Sequence, residues 1–129
     1  MNLFFLIADD SDGAGPFLRA VLHLVPEDKL EVFDGFAEFS ERLRRPRDAS
    51  SVVLVMGPSQ DDLKKLVTVR RDLKDVKILL ALADSSPETI ALAHRVMPTY
   101  ISDIENGPTG VVSVLNQVLQ SPRPPGSPR

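Results

Sequence analysis

Two adjacent carboxylates, Asp9 and Asp10, follow directly on the apolar run Leu3-Phe4-Phe5-Leu6-Ile7-Ala8. Oxygen ligands delivered side by side at the end of a rigid strand suit a hard cation such as Mg²⁺. Acids at a strand end also sit comfortably in water, and spacing alone leaves both readings open. The next residues, Ser11-Asp12-Gly13-Ala14-Gly15, supply the glycines that a phosphate-cradling loop needs, but the acids at 9, 10 and 12 would repel a phosphate. Nucleotide binding is therefore not expected. His23 and His94 are the only histidines and lie far apart in the chain, so a histidine-based metal or catalytic constellation lacks members. The absence of cysteine removes disulfides, thiolate metal sites and a thiol nucleophile.

These residues need elements to position them, and the chain offers five apolar runs of strand length, at 3–8, 30–33, 52–56, 78–83 and 100–101. The middle ones are nearly continuous hydrophobics, as expected of a parallel sheet covered on both faces. Between the runs lie helical stripes: Phe17, Leu18, Val21, Leu22 and Val25; Phe36, Phe39 and Leu43; Leu63, Leu66, Val67 and Leu73; Ile90, Ala93 and Met97; and Val111, Leu115, Val118 and Leu119. Ser59 with Asp62 reads as a capping box, and Pro87 and Pro108 stand at expected first helical positions. The arrangement is (βα)₅, an α/β doubly wound parallel sheet of five strands. Ligands of such sheets bind at the carboxyl ends of the strands. That rim here is Asp9-Asp10-Ser11, Asp34-Gly35, Gly57-Pro58, Asp84-Ser85 and Ser102-Asp103, dominated by acids.

Composition bounds the rest. A chain of 129 residues, 43% apolar and 26% charged, is one domain with a real core. Its net charge is −3, and setting aside the two arginines of residues 121–129 leaves −5. An acidic body gives no footprint for a phosphate backbone, so no direct nucleic-acid partner is expected. No apolar run is long enough for a membrane span, and a cytoplasmic location is expected. The domain spans residues 1–120. Residues 121–129, SPRPPGSPR, hold four prolines and no large apolar residue, and read as a disordered tail or a polyproline ligand. Arg42, Arg44, Arg45 and Arg47 read as a solvated basic end of the second helix.

The chain resembles the receiver domain of two-component response regulators. The acidic pair closing Ile7-Ala8-Asp9-Asp10 resembles that family's first-strand acids, and Val32-Phe33-Asp34-Gly35-Phe36-Ala37-Glu38-Phe39 is similar to the segment opening its second helix. Tyr100-Ile101-Ser102 fits the frame of its fifth strand. The resemblance covers essentially residues 1–120 and implies a flavodoxin-like sheet in the order 2-1-3-4-5. Departures fall on the working positions. Met56 stands where the family carries its phosphoacceptor aspartate, and a thioether cannot accept a phosphoryl group. Leu82 stands at the place of the hydroxyl switch, and Asp103 at that of the family's lysine. Tyr100 holds the place of the switch aromatic.

What the resemblance implies is a degenerate receiver, not an enzyme, working in signalling as a phosphorylation-independent protein interaction module. No organic cofactor is expected. Asp9 and Asp10, with Asp103 and Asp84 as possible neighbours on one rim, either hold Mg²⁺ weakly or splay into water. The expected contact surface, for a protein partner or a second copy, is the face of the fourth helix, fifth strand and fifth helix, with Ile90, His94, Tyr100 and Val112 as its candidates. Inward packing of Ile90 and Val112 is the alternative. Asp10-Ser11-Asp12-Gly13-Ala14 also resembles the nucleophile segment of haloacid-dehalogenase-type phosphatases, with Asp10 as nucleophile and Asp12 as acid/base. Ala14 replaces a threonine there, and the chain is short for that fold.

Overall fold

The computed structural model describes residues 2–7, 14–45, 51–70 and 76–120. Asp9, Asp10 and Asp12, Arg47, Leu73 and residues 121–129 lie outside them, as does the side chain of Leu119. Five strands, β1 (Leu3–Ile7), β2 (Leu30–Phe33), β3 (Val52–Met56), β4 (Lys77–Leu82) and β5 (Tyr100–Asp103), form one parallel sheet in the order β2-β1-β3-β4-β5. Helices α1 (Ala14–Leu22), α2 (Phe36–Leu43), α3 (Gln60–Thr68), α4 (Pro87–Arg95) and α5 (Thr109–Gln120) alternate with them. This is the doubly wound α/β sheet expected from the alternation of runs and stripes, in the flavodoxin-like strand order that the resemblance implied. Short 3₁₀ turns at Glu27–Lys29 and Ile104–Asn106 complete the described elements.

Side-chain alternation along each strand divides the interior into two layers. Phe4, Leu6, Val53, Val55, Ile78 and Leu80 face α2, α3 and α4, meeting Phe39, Leu63, Leu66, Ala93 and Val96. Leu3, Phe5, Leu54, Met56, Leu79 and Ala81 face α1 and α5, meeting Phe17, Val21, Val111 and Leu115. Every residue of β3 is buried, which is what a central strand of a doubly covered sheet requires. Phe4, Phe33, Phe39 and Phe36 stack edge to face in succession. Their ring centroids are 6.0 Å apart for Phe4 and Phe33, 5.8 Å for Phe33 and Phe39, and 5.9 Å for Phe39 and Phe36. Each fully buried phenylalanine contributes about 2 to 3 kcal/mol of hydrophobic stabilisation.

Caps set the helix boundaries. The Ser59 hydroxyl accepts from the Asp62 amide at 3.1 Å while the Ser59 amide donates to the Asp62 carboxylate at 3.0 Å. This is the expected capping box of α3. Pro87 opens α4 after Ser86 as expected. Pro108 falls one residue before α5, and its carbonyl accepts from the Val112 amide at 2.8 Å.

Two local expectations are corrected. Met97 is not part of the inward stripe of α4: that helix ends at Arg95, and Met97 follows its cap in the left-handed region, φ 58°, with 67% of its surface exposed. The inward row is Thr89, Ala93 and Val96. Arg70 donates from Nε to the Val96 carbonyl at 2.8 Å. A helix-end acceptor is thereby satisfied from across the fold. Arg42 is not simply solvated either. It lies over the Phe4 ring at 5.1 Å and donates to both Glu31 oxygens at 3.0 Å and 3.2 Å. These contacts tie α2 to the edge strand β2.

Candidate functional site

The edge strand β5 lies between α4 and α5, and a cleft of about 320 Å³ opens along it. All four β5 residues line this cleft and all are half-buried. Ile90 and His94, one helical turn apart on α4, form one wall; Gly107 and Gly110, around the start of α5, form the other. Leu82, buried at the end of β4, contributes an apolar floor. Ile90 exposes 37% of its surface, while Thr89 and Ala93 on the same helix pack inward.

Tyr100 is seated by a missing side chain. Its phenol oxygen and ring edge occupy the place where residue 110 would carry a Cβ, so α5 approaches β5 through Gly110. Gly107 turns the chain into that helix at φ 75°. Other residues adopt that conformation only at a cost. The ring itself packs partly against the core layer beneath α1 and α5. A half-exposed aromatic with a polar tip beside an exposed isoleucine is contact chemistry: apolar area with an orienting hydrogen-bonding group.

Two carboxylates near the cleft behave differently. Asp103 is the carboxylate among the described lining residues, none of which is lysine or arginine, and Ser85 Oγ donates to its Oδ1 at 3.2 Å. Asp84 instead braces the amino-terminal cap of α4. It accepts from Thr89 Oγ1 at 2.6 Å, from the Ser86 amide at 3.0 Å and from Ser86 Oγ at 2.9 Å. The Thr89 hydroxyl first, then the Ser86 amide and hydroxyl, holds the Asp84 carboxyl below the usual aspartate value by favouring its charged form. Thr89 is buried and also accepts from Gln60 Nε2 at 3.3 Å, so the cap of α4 is joined to the first turn of α3. Asp84 is thereby accounted for by helix capping.

The remaining sequence-derived candidates divide as follows. Met56 is fully buried in the layer under α1 and α5, paired in register with Ile7 and Ala81. Leu82, Ile90, His94, Tyr100 and Asp103 come together at the cleft. Val112 is half-buried and is not among the cleft residues; Gly107, before α5, and Gly110, in its first turn, line the cleft in its place. Asp9, Asp10 and Asp12 lie outside the described residues. Among the described residues, no group of three or more acids and histidines is placed to hold a metal ion, and no helix is long and apolar enough to cross a membrane. Gly110 and Asn106 do not stand out in the sequence reading. A glycine in the first turn of an apolar helix is the available signal, because it costs helix stability unless something approaches closely.

Comparison with protein-family models gives no match, and no curated protein is detectably similar in sequence.

Proposed function

We propose that this chain is a degenerate receiver-type domain that serves as a phosphorylation-independent protein interaction module in the cytoplasm. The reading is carried by one observation: the open cleft of the described residues runs along β5 between α4 and α5, where a half-buried tyrosine meets an exposed isoleucine. That is the face on which the sequence resemblance placed a contact surface. Support also comes from Met56, whose apolar side chain is buried where a phosphoacceptor would stand. A thioether offers no oxygen to a phosphoryl donor. The cleft's lining, polar and apolar in about equal measure, resembles the mixed chemistry of a protein contact surface.

The test treats the full chain with an acyl phosphate or phosphoramidate and Mg²⁺, following intact mass and the amide resonances of residues 82 and 100–103. The expected result is no phosphoryl adduct and no displacement of those resonances. An adduct, or a donor-dependent shift at Tyr100 and Asp103, would overturn the phosphorylation-independent reading. For the interaction itself, wild type and Ile90→Arg are offered side by side to the same mixture. A protein retained by wild type and released by the variant supports the assignment, and equal retention places binding elsewhere.

A further inference from the structure

The edge of the sheet opposite the cleft, at β2, carries a defined set of outward main-chain groups. Val52 donates its amide to the Asn2 carbonyl at 2.9 Å, so along β1 the main-chain groups of Asn2 and Phe4 face β3 and those of Leu3 and Phe5 face β2. In a parallel ladder the register partners of Leu3 and Phe5 then turn their own groups away. Those partners are Leu30 and Val32, whereas Glu31 and Phe33 bond to β1. The Leu30 amide is used by the Glu27 carbonyl, which leaves the Leu30 carbonyl and both groups of Val32 on the outer side. No described strand pairs there. Apolar side chains flank the same groups. Val32 shares a sheet face with its register partner Phe5, which lies in the layer beneath α1, and exposes 44% of its surface. Leu22, 42% exposed, follows the inward Val21 on α1. On α5, which runs the same way over the same face, Gly110 precedes the inward Val111 and meets Tyr100 of β5. Helix handedness therefore turns Leu22 the opposite way, toward β2.

We infer that β2 accepts an extended, basic segment of a partner protein as a sixth strand of the sheet. This surface is separate from the cleft along β5 and does not rest on the reading of that cleft. An added strand takes up the three outward main-chain groups, and every second side chain of it falls on the apolar strip of Leu22 and Val32. Charge selects the occupant. Residues 27–34 hold four acids and one lysine. Arg42 pairs with Glu31, while Glu27 and Asp28 before the strand and Asp34 after it stay exposed. A second copy would set acids against acids whether its β2 ran parallel or antiparallel, which disfavours self-pairing. Residues 121–129 have the right sign of charge, but four of the nine are prolines, which lack the amide that strand addition uses. A separate chain that alternates lysine or arginine with aliphatic residues meets both requirements.

The experiment follows the amides of Leu22 and residues 30–34 of the full chain by NMR while an eight-residue peptide of alternating lysine and valine is added. Peptides with glutamate in place of lysine, and with glycine in place of valine, serve as controls. The expected result is a saturable displacement of the Val32 amide, slower exchange of its proton and intermolecular main-chain contacts to β2, all weakening as salt rises. Both controls should bind about fivefold more weakly or worse. Val32→Pro removes the outward amide and spares the bonds to β1, a change edge strands accept, and should weaken binding about fivefold. Leu22→Arg, at an exposed position, should do the same, and it decides the matter if the proline variant does not fold. Displacements absent at about 1 mM peptide, or confined to residues 82 and 100–103, overturn the inference. Equal binding of either control peptide, or indifference to both variants, overturns it as well. A Val32 amide that is protected from exchange without peptide, or that shifts on dilution, gives the edge to residues 121–129 or to a second copy and also overturns it.

Discussion

The phenol of Tyr100 fills the space that a Cβ at residue 110 would require, so β5 and the first turn of α5 are fitted to each other through Gly110. An exposed helical Gly→Ala change ordinarily stabilises by about 1 kcal/mol. Here the phenol tip must swing aside, so Gly110→Ala is expected to forfeit most of that gain and to push the ring into water. The chain has one tyrosine and no tryptophan, so tyrosine emission reads this cleft alone. Urea titration and tyrosine emission check both parts; a stabilised variant with unchanged emission would refute the fit.

The cap of α4 makes a pH-dependent contribution with a defined sign. Hydrogen bonds from Thr89 and Ser86 lower the Asp84 pKa in the folded chain. The resulting stabilisation is present above the ordinary aspartate range and is lost as pH falls through the lower folded value, below about pH 4. Thr89→Val removes the largest cause and the link to Gln60. The Asp84 carboxyl, followed by NMR titration, should move back up toward its ordinary value. The stability gap between variant and wild type should narrow in acid.

Met97 occupies a backbone conformation that costs an L-residue about 1 to 2 kcal/mol, and its exposed side chain returns little for it. Met97→Gly should therefore stabilise the fold, by about 0.5 to 1 kcal/mol after the added freedom of the unfolded chain is counted. Chemical denaturation measures this directly. A destabilised glycine variant would show that the methionine side chain makes an interaction worth more than the strain.

Met56 distinguishes a buried apolar position from a carboxylate site. Met56→Leu keeps volume and polarity and should cost less than about 1.5 kcal/mol. Met56→Asp places a charge in the layer beneath α1 and α5 and should cost about 3 kcal/mol or more, a large share of a small domain's stability. Thermal melts of the two variants test the contrast. Equal stability would mean that a carboxylate introduced at position 56 finds solvent at the carboxyl end of β3.

Much of the fold is legible in single stretches of chain. Val52-Val53-Leu54-Val55-Met56 is apolar without alternation, and only a strand covered on both faces tolerates that. Ser59 with Asp62 marks a helix start because both halves of the capping box are local. The end of α4 is not legible in this way. Ile90, Ala93 and Met97 share helical spacing, yet Ile90 is exposed and Met97 lies beyond the helix in the left-handed region. Their pattern fits a stripe, but what covers each residue is set by β5, by Arg70 reaching from beyond α3 and by the angle at which α4 meets the sheet.

The candidate site divides in the same way. By itself the sequence determined the alternation of strands and helices, the rim of acids and the placing of a thioether at Met56, because residue type and spacing are properties of the chain. Only the tertiary structure decided that Asp84 is spent on a helix cap, that Tyr100 rests on Gly110, and that the cleft's far wall is built from Gly107 and Gly110 instead of Val112. Each of these joins residues from different elements. Their positions follow from how helices seat on a twisted sheet, and no local spacing encodes that.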